Sequence, residues 1–310
     1  MQDAPFFASL ADGPAAGHSL WATCSDGVRV RVGLWPEGTK GTVLLFPGRT
    51  EYIEKYGRTA EDLRARGYAT VTLDWRGQGL ADRPLKDRNV GYIENFSDFQ
   101  KDLATVLDVL REAGLPQPLY LISHSMGGAI AFRALHEGLR VKAAVFSAPM
   151  WGILLSPAVR PFAWALSHLS SQLGFGHVYA PGTGPVTYTA SAPFIGNVLT
   201  SDAEMYRYMV AQTEGEPDLA LGGPSLHWLH EALQECRVIR ALPSPRIPVL
   251  TFLGTAEKVV DSEPIRARMA RWPGGKLEMV PGAEHEVMME TPLIRARFFD
   301  ATAALFDANR

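Results

Sequence analysis

Apolar and polar positions follow two different rhythms in the first half of the chain. Residues 19–35 alternate between apolar and polar side chains around Asp26-Gly27, a dipeptide that favours a tight turn between antiparallel strands. From residue 42 onward, short continuous apolar runs take over, and segments with helical character lie between them. Strands alternating with helices indicate parallel pairing, because each parallel pair needs a crossover that a helix can supply. The pattern predicts an α/β fold with a mostly parallel central sheet and helices on both faces.

The predicted elements alternate over residues 42–147 and again over residues 247–306. Gly67 and Gly114 directly follow two of the helices, where glycine easily adopts the positive φ that ends a helix. Buried strands are expected at 42–46, 69–73, 119–122, 142–147, 247–253 and 276–280. Helices are expected at 51–66, 96–113, 126–135, 264–271 and 292–306.

The alternation stops between residues 150 and 236, where helical stretches are separated by glycine and proline and no convincing buried strand occurs. We therefore expect a helical cap, residues 150–236, inserted into one core domain made of residues 1–149 and 237–310. The most apolar helix candidate of the cap, 157–173, is interrupted by two polar residues. It is expected to be a buried or capping helix, with membrane contact as the alternative.

Composition excludes several kinds of partner. The 30 basic and 33 acidic side chains nearly cancel, so no attraction to nucleic acid is expected. Cys24 and Cys236 are far apart and form no C-x-x-C pair, which argues against a disulfide framework or zinc site and favours a reducing compartment. The N-terminal residues do not resemble a secretory signal, and no apolar run is long enough for a transmembrane helix. We expect a cytoplasmic protein, with peripheral contact to a membrane left open.

The candidate chemistry begins where the strand at 119–122 turns into the next helix. The segment from Ser123 to Gly127 nearly matches G-x-S-x-G, a sharp turn that holds a serine hydroxyl above the C-terminal edge of a parallel sheet. The strand before it and the helix after it make the match more specific, and Ser125 is the predicted nucleophile. Ser123 replaces the usual glycine, at some cost in crowding, and remains a rival nucleophile.

A serine nucleophile needs a base and a group that orients the base. His285 lies in the loop after the last strand, at the sheet edge to which the turn directs Ser125. Glu257 follows the preceding strand and is the predicted acid; Asp261 is the alternative acid, although a role as a helix cap explains it as well. The order Ser125, Glu257, His285 is typical of α/β-hydrolases.

Two backbone N–H groups should stabilise the oxyanion of the tetrahedral intermediate. We expect them from Met126, directly after the nucleophile, and from Arg49, because Pro47 has no N–H and Gly48 is expected to form the turn. The Arg49 side chain is expected either in a surface salt bridge or against an anionic group of the substrate.

No cofactor or metal is predicted. The segment 74–79 lacks the lysine and spacing of a phosphate-binding loop. The run 284–286 has histidine between two glutamates, but no ligand set such as H-E-x-x-H accompanies it.

Along most of its length the chain resembles the lysophospholipase and monoacylglycerol lipase branch of the serine α/β-hydrolases. The matching segments are 47–51, 74–79, 91–96, 123–128, 199–202, 219–224 and 257–261. The first of these and the cap are most similar to bacterial lysophospholipases. The resemblance implies a helical cap over the active site and hydrolysis of carboxylic esters, with monoacyl lipids on a glycerol backbone as substrates.

Several alternatives remain open at this point. The same triad serves peptidases and acyltransferases, and a homologue can also bind a ligand without turnover. The expected partners are a small-molecule or lipid ester and, through the cap, a membrane surface in transient contact; the sequence does not set the oligomeric state. Large apolar side chains early in the cap are expected to pack on the core rather than to line an acyl tunnel. They are Met150, Trp151, Ile153, Leu154, Phe162, Trp164 and Phe175.

Overall fold

A computed structural model describes residues 2–156 and 158–310. The strands are β1 Gln2–Asp3, β2 His18–Thr23, β3 Arg29–Trp35, β4 Thr42–Phe46, β5 Ala69–Asp74, β6 Leu119–His124, β7 Ala144–Ser147, β8 Val249–Gly254 and β9 Lys276–Val280. The α-helices are α1 Ala8–Ala11, α2 Gly57–Ala65, α3 Phe99–Glu112, α4 Met126–His136, α5 Arg160–Gln172, α6 Tyr188–Ser191, α7 Ala203–Gly215, α8 Leu226–Ala241, α9 Ser262–Met269 and α10 Pro292–Asp307. Short 3-10 turns occupy Ile53–Tyr56, Phe96–Asp98, Pro217–Leu219 and Val287–Met289.

The strands form one sheet in the order β1-β2-β3-β5-β4-β6-β7-β8-β9. Strands β1, β2 and β3 pair in antiparallel fashion, as does β3 with β5. All pairings from β5 through β4 and β6 to β9 are parallel. The predicted α/β fold with a mostly parallel sheet is therefore confirmed. Strand β6, which leads to Ser125, lies in the middle of the sheet.

Alternation along the central strands divides the core between the two faces of the sheet. In β4, Leu44 and Phe46 join the apolar cluster that includes α3, α4, α8 and α9. Val43 and Leu45 join the cluster that includes α2, α7 and α10. Since side chains of a strand point alternately to opposite faces, these continuous apolar runs produce a sheet buried on both sides.

The helix expected at 51–66 is shorter than predicted. A 3-10 turn occupies Ile53–Tyr56, and α2 begins only at Gly57. Buried polar contacts account for the difference: the N–H of Ile53 donates to Asp74 Oδ1 at 2.9 Å, and Glu54 forms an ion pair with Arg31 at 2.7 Å. These contacts hold the segment in the interior, and its sequence pattern alone does not reveal them.

The predicted end of the cap at residue 236 falls inside α8. Side chains of α8, among them Trp228, Ala232 and Ile239, belong to the same apolar cluster as α4. Helix α8 also packs on α5 of the cap, so it lies between cap and core, and the boundary at residue 236 stays a prediction.

Helix α5 buries its polar side and exposes its apolar side, the opposite of what a helix packed on the core would do. Its buried residues are Ser167 and Ser170, whereas Phe162 is 75% exposed and Leu169 54% exposed. The expected packing against the core is correct for Met150 and Trp151, which are buried, but wrong for Phe162 and Phe175, which are exposed. Pro157, where this helix was predicted to begin, lies outside the described residues. Among the described residues, none of the helices combines the length and apolarity that crossing a membrane requires.

Candidate active site

Ser125 occupies a strained turn between β6 and α4. Its backbone has φ 49° and ψ −118°, a combination that non-glycine residues rarely adopt. The Ser125 N–H donates to Ser147 O at 3.1 Å, and the Ser125 carbonyl accepts the N–H groups of Gly128 and Met150, each at 2.8 Å. Hydrogen bonds to three neighbouring segments therefore hold the turn in this conformation.

The turn brings α4 very close to the end of β4. A Cβ atom at Gly127 would lie 2.3 Å from the carbonyl oxygen of Phe46, so only glycine fits there. Ser123, two residues before Ser125, is fully buried, and its hydroxyl has no hydrogen-bond partner in the described part of the chain. The hydroxyl is thus accommodated, but Ser123 does not line the cavity described below, which argues against it as the nucleophile.

His285 and Glu257 meet at the carboxyl edge of the sheet, after β9 and β8. Nδ1 of His285 lies 2.8 Å from Oε2 of Glu257. The other carboxylate oxygen accepts the N–H groups of Val259 at 2.6 Å and Val260 at 3.0 Å. Burial alone would raise the pKa of Glu257, but the hydrogen bond and charge of His285 and these N–H groups hold it below its usual value. The carboxylate is thus held ionised and fixed in direction.

Asp261, the alternative acid, is engaged elsewhere. Its Oδ1 accepts the N–H of Glu263 at 3.2 Å at the start of α9, and its Oδ2 lies 3.1 Å from Arg160. This is the capping role that the sequence also suggested. The geometry favours Glu257 as the residue that orients His285.

Ser125 and His285 line one cavity of about 310 Å³ between the core and the cap. The structure has no hydrogen bond between their side chains, a contact that commonly tightens only when substrate is bound. Much of the wall is apolar, and a cavity of this size and character suits an apolar substrate. Its apolar lining includes Met150, Ile153, Leu199, Met209, Trp228 and Val260.

In the described structure, the loop after β4 and the start of α4 each leave one backbone N–H group free. The N–H of Gly48 donates to the carboxylate of Glu51, and that of Thr50 donates to Gln78 Oε1 at 2.8 Å. Arg49 lies between these two residues, and its N–H donates to no other described residue. The same is true of the N–H of Met126, directly after Ser125. The two amides predicted for the oxyanion are therefore available.

A cluster of buried charges lines part of the cavity, and the sequence did not predict it. Nζ of Lys55 lies 2.8 Å from Glu51 Oε1 and 2.7 Å from Glu286 Oε2. Tyr56 donates its hydroxyl to Glu51 at 2.5 Å. The only sequence signals were the spacing of four between Glu51 and Lys55 and the position of Glu286 next to His285.

Potential metal ligands in this cluster already surround a cation of the protein. Ligand atoms of Glu51, His124 and Glu286 lie within 4.8 Å of one another. The ammonium of Lys55 contacts both carboxylates, so it supplies the positive charge that a metal would otherwise bring. Burial lowers the pKa of His124 to about 3, which keeps its ring neutral at physiological pH.

Comparisons with known proteins agree with the fold. Residues 37–292 match the family model described as Serine aminopeptidase, S33. The chain is 32% identical over 281 residues to lysophospholipase L2 of Escherichia coli strain K12, covering 86% of this chain and 80% of that protein. It is 29% identical over 255 residues to the probable lysophospholipase L2 of Haemophilus influenzae, covering 82% of this chain and 79% of that one.

A solved structure has the same architecture. A soluble variant of monoglyceride lipase from Saccharomyces cerevisiae, in complex with a substrate analog, matches with a TM-score of 0.72 at 20% identity, covering 93% of this chain and 94% of that chain. The sheet and the turn at Ser125 are those of an α/β-hydrolase. The chain belongs to the serine aminopeptidase S33 family, and the resemblance to its lysophospholipase and monoacylglycerol lipase branch is confirmed.

Replacement of Lys55 tests the charge cluster. Lys55→Met leaves the buried carboxylates of Glu51 and Glu286 without a counter-charge, so the free energy of unfolding should fall by about 3–5 kcal/mol. Arg111→Met is the matched control, because it breaks an exposed pair with Asp108 and should cost about 0–1 kcal/mol. Urea unfolding measures both variants, and equal losses would show that the cluster is not a stabilising unit.

Proposed function

We propose that this protein hydrolyses the carboxylic ester of lysophospholipids or monoacylglycerols with Ser125 as nucleophile, His285 as base and Glu257 as orienting acid. The observation that carries the proposal is the His285–Glu257 pair, 2.8 Å apart, with His285 on the wall of the same largely apolar cavity as Ser125. The strained backbone at Ser125, the imidazole of His285 oriented by Glu257, and the apolar cavity together fit acyl transfer from a lipid.

The reaction would proceed in two halves. Ser125 Oγ attacks the acyl carbonyl while Nε2 of His285 takes its proton, and Glu257 stabilises the imidazolium through Nδ1–H. The tetrahedral oxyanion accepts the N–H groups of Arg49 and Met126. Collapse breaks the ester bond, and His285 returns the proton to the departing glycerol oxygen. Water, deprotonated by His285, then attacks the acyl-enzyme, and the acid is released as Ser125 recovers its proton.

A second candidate is peptidase activity, which the family description favours. An aminopeptidase must bind the cationic amine at the end of its substrate, which calls for a free carboxylate. Glu51 and Glu286, which line the cavity, both contact Lys55, and burial raises the pKa of Glu286, which favours its neutral form. Glu257 is bound to His285 and does not line the cavity. The charges of the described lining therefore favour neutral or anionic esters over cationic peptides.

Substitution of the serine tests the nucleophile. Ser125→Ala should lower ester turnover by roughly three orders of magnitude or more, the scale for losing a triad serine. Ser123→Ala is the control and should retain turnover near that of the wild type, because its hydroxyl is buried away from the cavity. Assays with a monoacylglycerol and a lysophospholipid, together with fluorophosphonate labelling, measure the effect. If only the Ser123 variant loses ester turnover, Ser123 and not Ser125 is the nucleophile. If the wild type hydrolyses the ester but is not labelled by the fluorophosphonate, the serine mechanism is contradicted.

A second pair of variants tests the acid. Glu257→Gln should lower kcat by roughly 10⁴-fold, since the amide no longer stabilises the imidazolium. Asp261→Asn should lower it by less than about tenfold, because asparagine also caps helices. Steady-state kinetics on one soluble ester compares the two variants. The opposite ranking would assign the acid role to Asp261.

We further propose that the cap contacts a lipid surface transiently through the outer face of α5. Apolar side chains repeat there at spacings of three and four, which places them on one side of the helix. They are Val159, Phe162, Leu166, Leu169 and Leu173, with exposures from 45% to 75%. The opposite side packs on α8 through small serines, with Ser171 Oγ 2.9 Å from His227 Nδ1. A helix that exposes its apolar side fits the interface of a bilayer, where the lipid substrates would reside.

The two buried free cysteines fit a reducing compartment, and we keep the cytoplasm as the proposed location.

Negative charge on the outer face of α5 should weaken its contact with a lipid surface. The double variant Phe162→Glu, Leu169→Glu should weaken binding to phosphatidylethanolamine–phosphatidylglycerol vesicles by about tenfold or more, since it removes two large apolar groups. Leu293→Glu on α10 is the control, because Leu293 is 81% exposed and stands apart from α5. Co-sedimentation measures binding. Equal binding by the wild type and the double variant would contradict the contact.

A further inference from the structure

Arg49 carries a positive charge that no acidic residue of the described chain neutralises. Its Nη2 donates to the carbonyl oxygen of Gly222 at 2.5 Å, and its guanidinium lies 5.2 Å from the ring centre of Trp228. No described carboxylate forms an ion pair with it, although the sequence left a surface salt bridge open. Arg49 lines the same cavity as Ser125 and His285.

The guanidinium of Arg49 has an N–H group without a hydrogen-bond partner among the described residues. Its Nε is buried and has no hydrogen-bond partner within residues 2–156 and 158–310. A partly buried charge and an unbonded buried donor are both costly unless something pairs with them. Burial lowers the pKa of Arg49 to about 10, so the group still carries its charge at neutral pH. These features indicate that an anion from outside the chain completes the site.

Neighbouring backbone fixes the position of this cation. A Cβ atom at Gly91 would lie 2.7 Å from Nη2 of Arg49, so the chain passes directly against the guanidinium. The N–H of Gly91 donates to Gly223 O at 2.9 Å, next to the carbonyl of Gly222 that Arg49 itself contacts. The Arg49 side chain is thus held between a core loop and the end of the cap.

We propose that the Arg49 guanidinium binds the phosphodiester of a lysophospholipid headgroup and makes the enzyme prefer glycerophosphate esters to neutral monoacylglycerols. The inference rests on the proposed ester hydrolysis. One residue would then have two roles, because the N–H of Arg49 is the proposed oxyanion donor and its side chain lines the same cavity. In a lysophospholipid, the phosphate is likewise separated from the ester carbonyl by the short glycerol backbone. The planar fork of arginine matches the oxygens of a phosphodiester.

The test compares two esters that share one acyl chain, 1-decanoyl lysophosphatidylglycerol and 1-decanoylglycerol, both below their micellar concentrations. Arg49→Met retains the backbone N–H and removes only the cation. The ratio of kcat/KM for the phosphate ester to that for the neutral ester should fall by about 10- to 100-fold, the scale of a charged hydrogen bond. Arg49→Lys should recover part of the ratio, because it restores the charge without the fork.

Two further variants separate this role from a structural one. Gly91→Ala should lower the same ratio with Arg49 intact, since the new methyl group displaces the guanidinium. Arg88→Gln is the control: Arg88 is paired with Asp218 at 2.8 Å outside the cavity, so the ratio should remain unchanged. Circular dichroism melting checks that each variant is folded.

The opposing results are distinct. An equal loss on both esters in Arg49→Met would overturn the inference and assign the side chain to support of the loop. The product acid supplies another anion, so inhibition by decanoate and by sn-glycerol 3-phosphate is measured in parallel. Weakened inhibition by decanoate alone would identify a carboxylate site instead. If the wild type hydrolyses neither ester, the proposed function fails, and calorimetric titration of wild type and Arg49→Met with sn-glycerol 3-phosphate still decides the phosphate site.

Discussion

The close approach of α4 to the end of β4 is the constraint on which the rest of the site depends. It requires Gly127, whose hypothetical Cβ would lie 2.3 Å from Phe46 O, and it forces the intervening Ser125 to positive φ. Backbone strain of this kind costs about 1–3 kcal/mol and persists only where surrounding structure enforces it. The N–H of Ser125 donates to Ser147 in β7 and its carbonyl accepts the N–H of Met150, and these hydrogen bonds provide that enforcement. Because β4 and β7 flank β6, the same packing brings the loops that carry Arg49 and the nucleophile together.

Charge around the cavity is distributed unevenly, and this distribution bears on the chemistry. In the Glu51–Lys55–Glu286 cluster one ammonium contacts two carboxylates, and burial raises the pKa of Glu286, which favours its neutral form. The cluster also anchors the loop after β4, because Glu51 accepts the N–H of Gly48. His124, whose ring centre lies 4.7 Å from that of His285, stays neutral, so it does not oppose formation of an imidazolium at His285. Arg49, in the same loop as Glu51, carries a charge that forms no ion pair with a described carboxylate. A cavity arranged in this way favours an anionic group beside the ester over a cationic one.

Local signals predicted the core of this molecule well, and the structure brings the residues of the candidate triad to one edge of the sheet. Apolar runs identified the strands, and the order of parallel strands places the loops of Glu257 and His285 at the edge where Ser125 stands. Contacts distant in sequence were not predictable, such as that between Lys55 and Glu286, because no local pattern encodes the partner of a buried charge. The orientation of helix α5 was not predictable for a related reason. Its apolar residues predict that one side is covered, but not whether protein or lipid covers it.

The Arg49 side chain lies where the core meets the cap. Arg49 comes from the core loop that supplies an oxyanion donor, whereas the carbonyl that holds its guanidinium, Gly222, comes from the end of the cap. A movement of the cap would therefore shift the cation as well as the apolar wall. If α5 rests on a membrane, the surface that presents the lipid is mechanically connected, through the cap, to the group proposed to recognise its phosphate. Specificity and interfacial contact would then depend on the same insertion, while the chemistry depends on the rigid sheet.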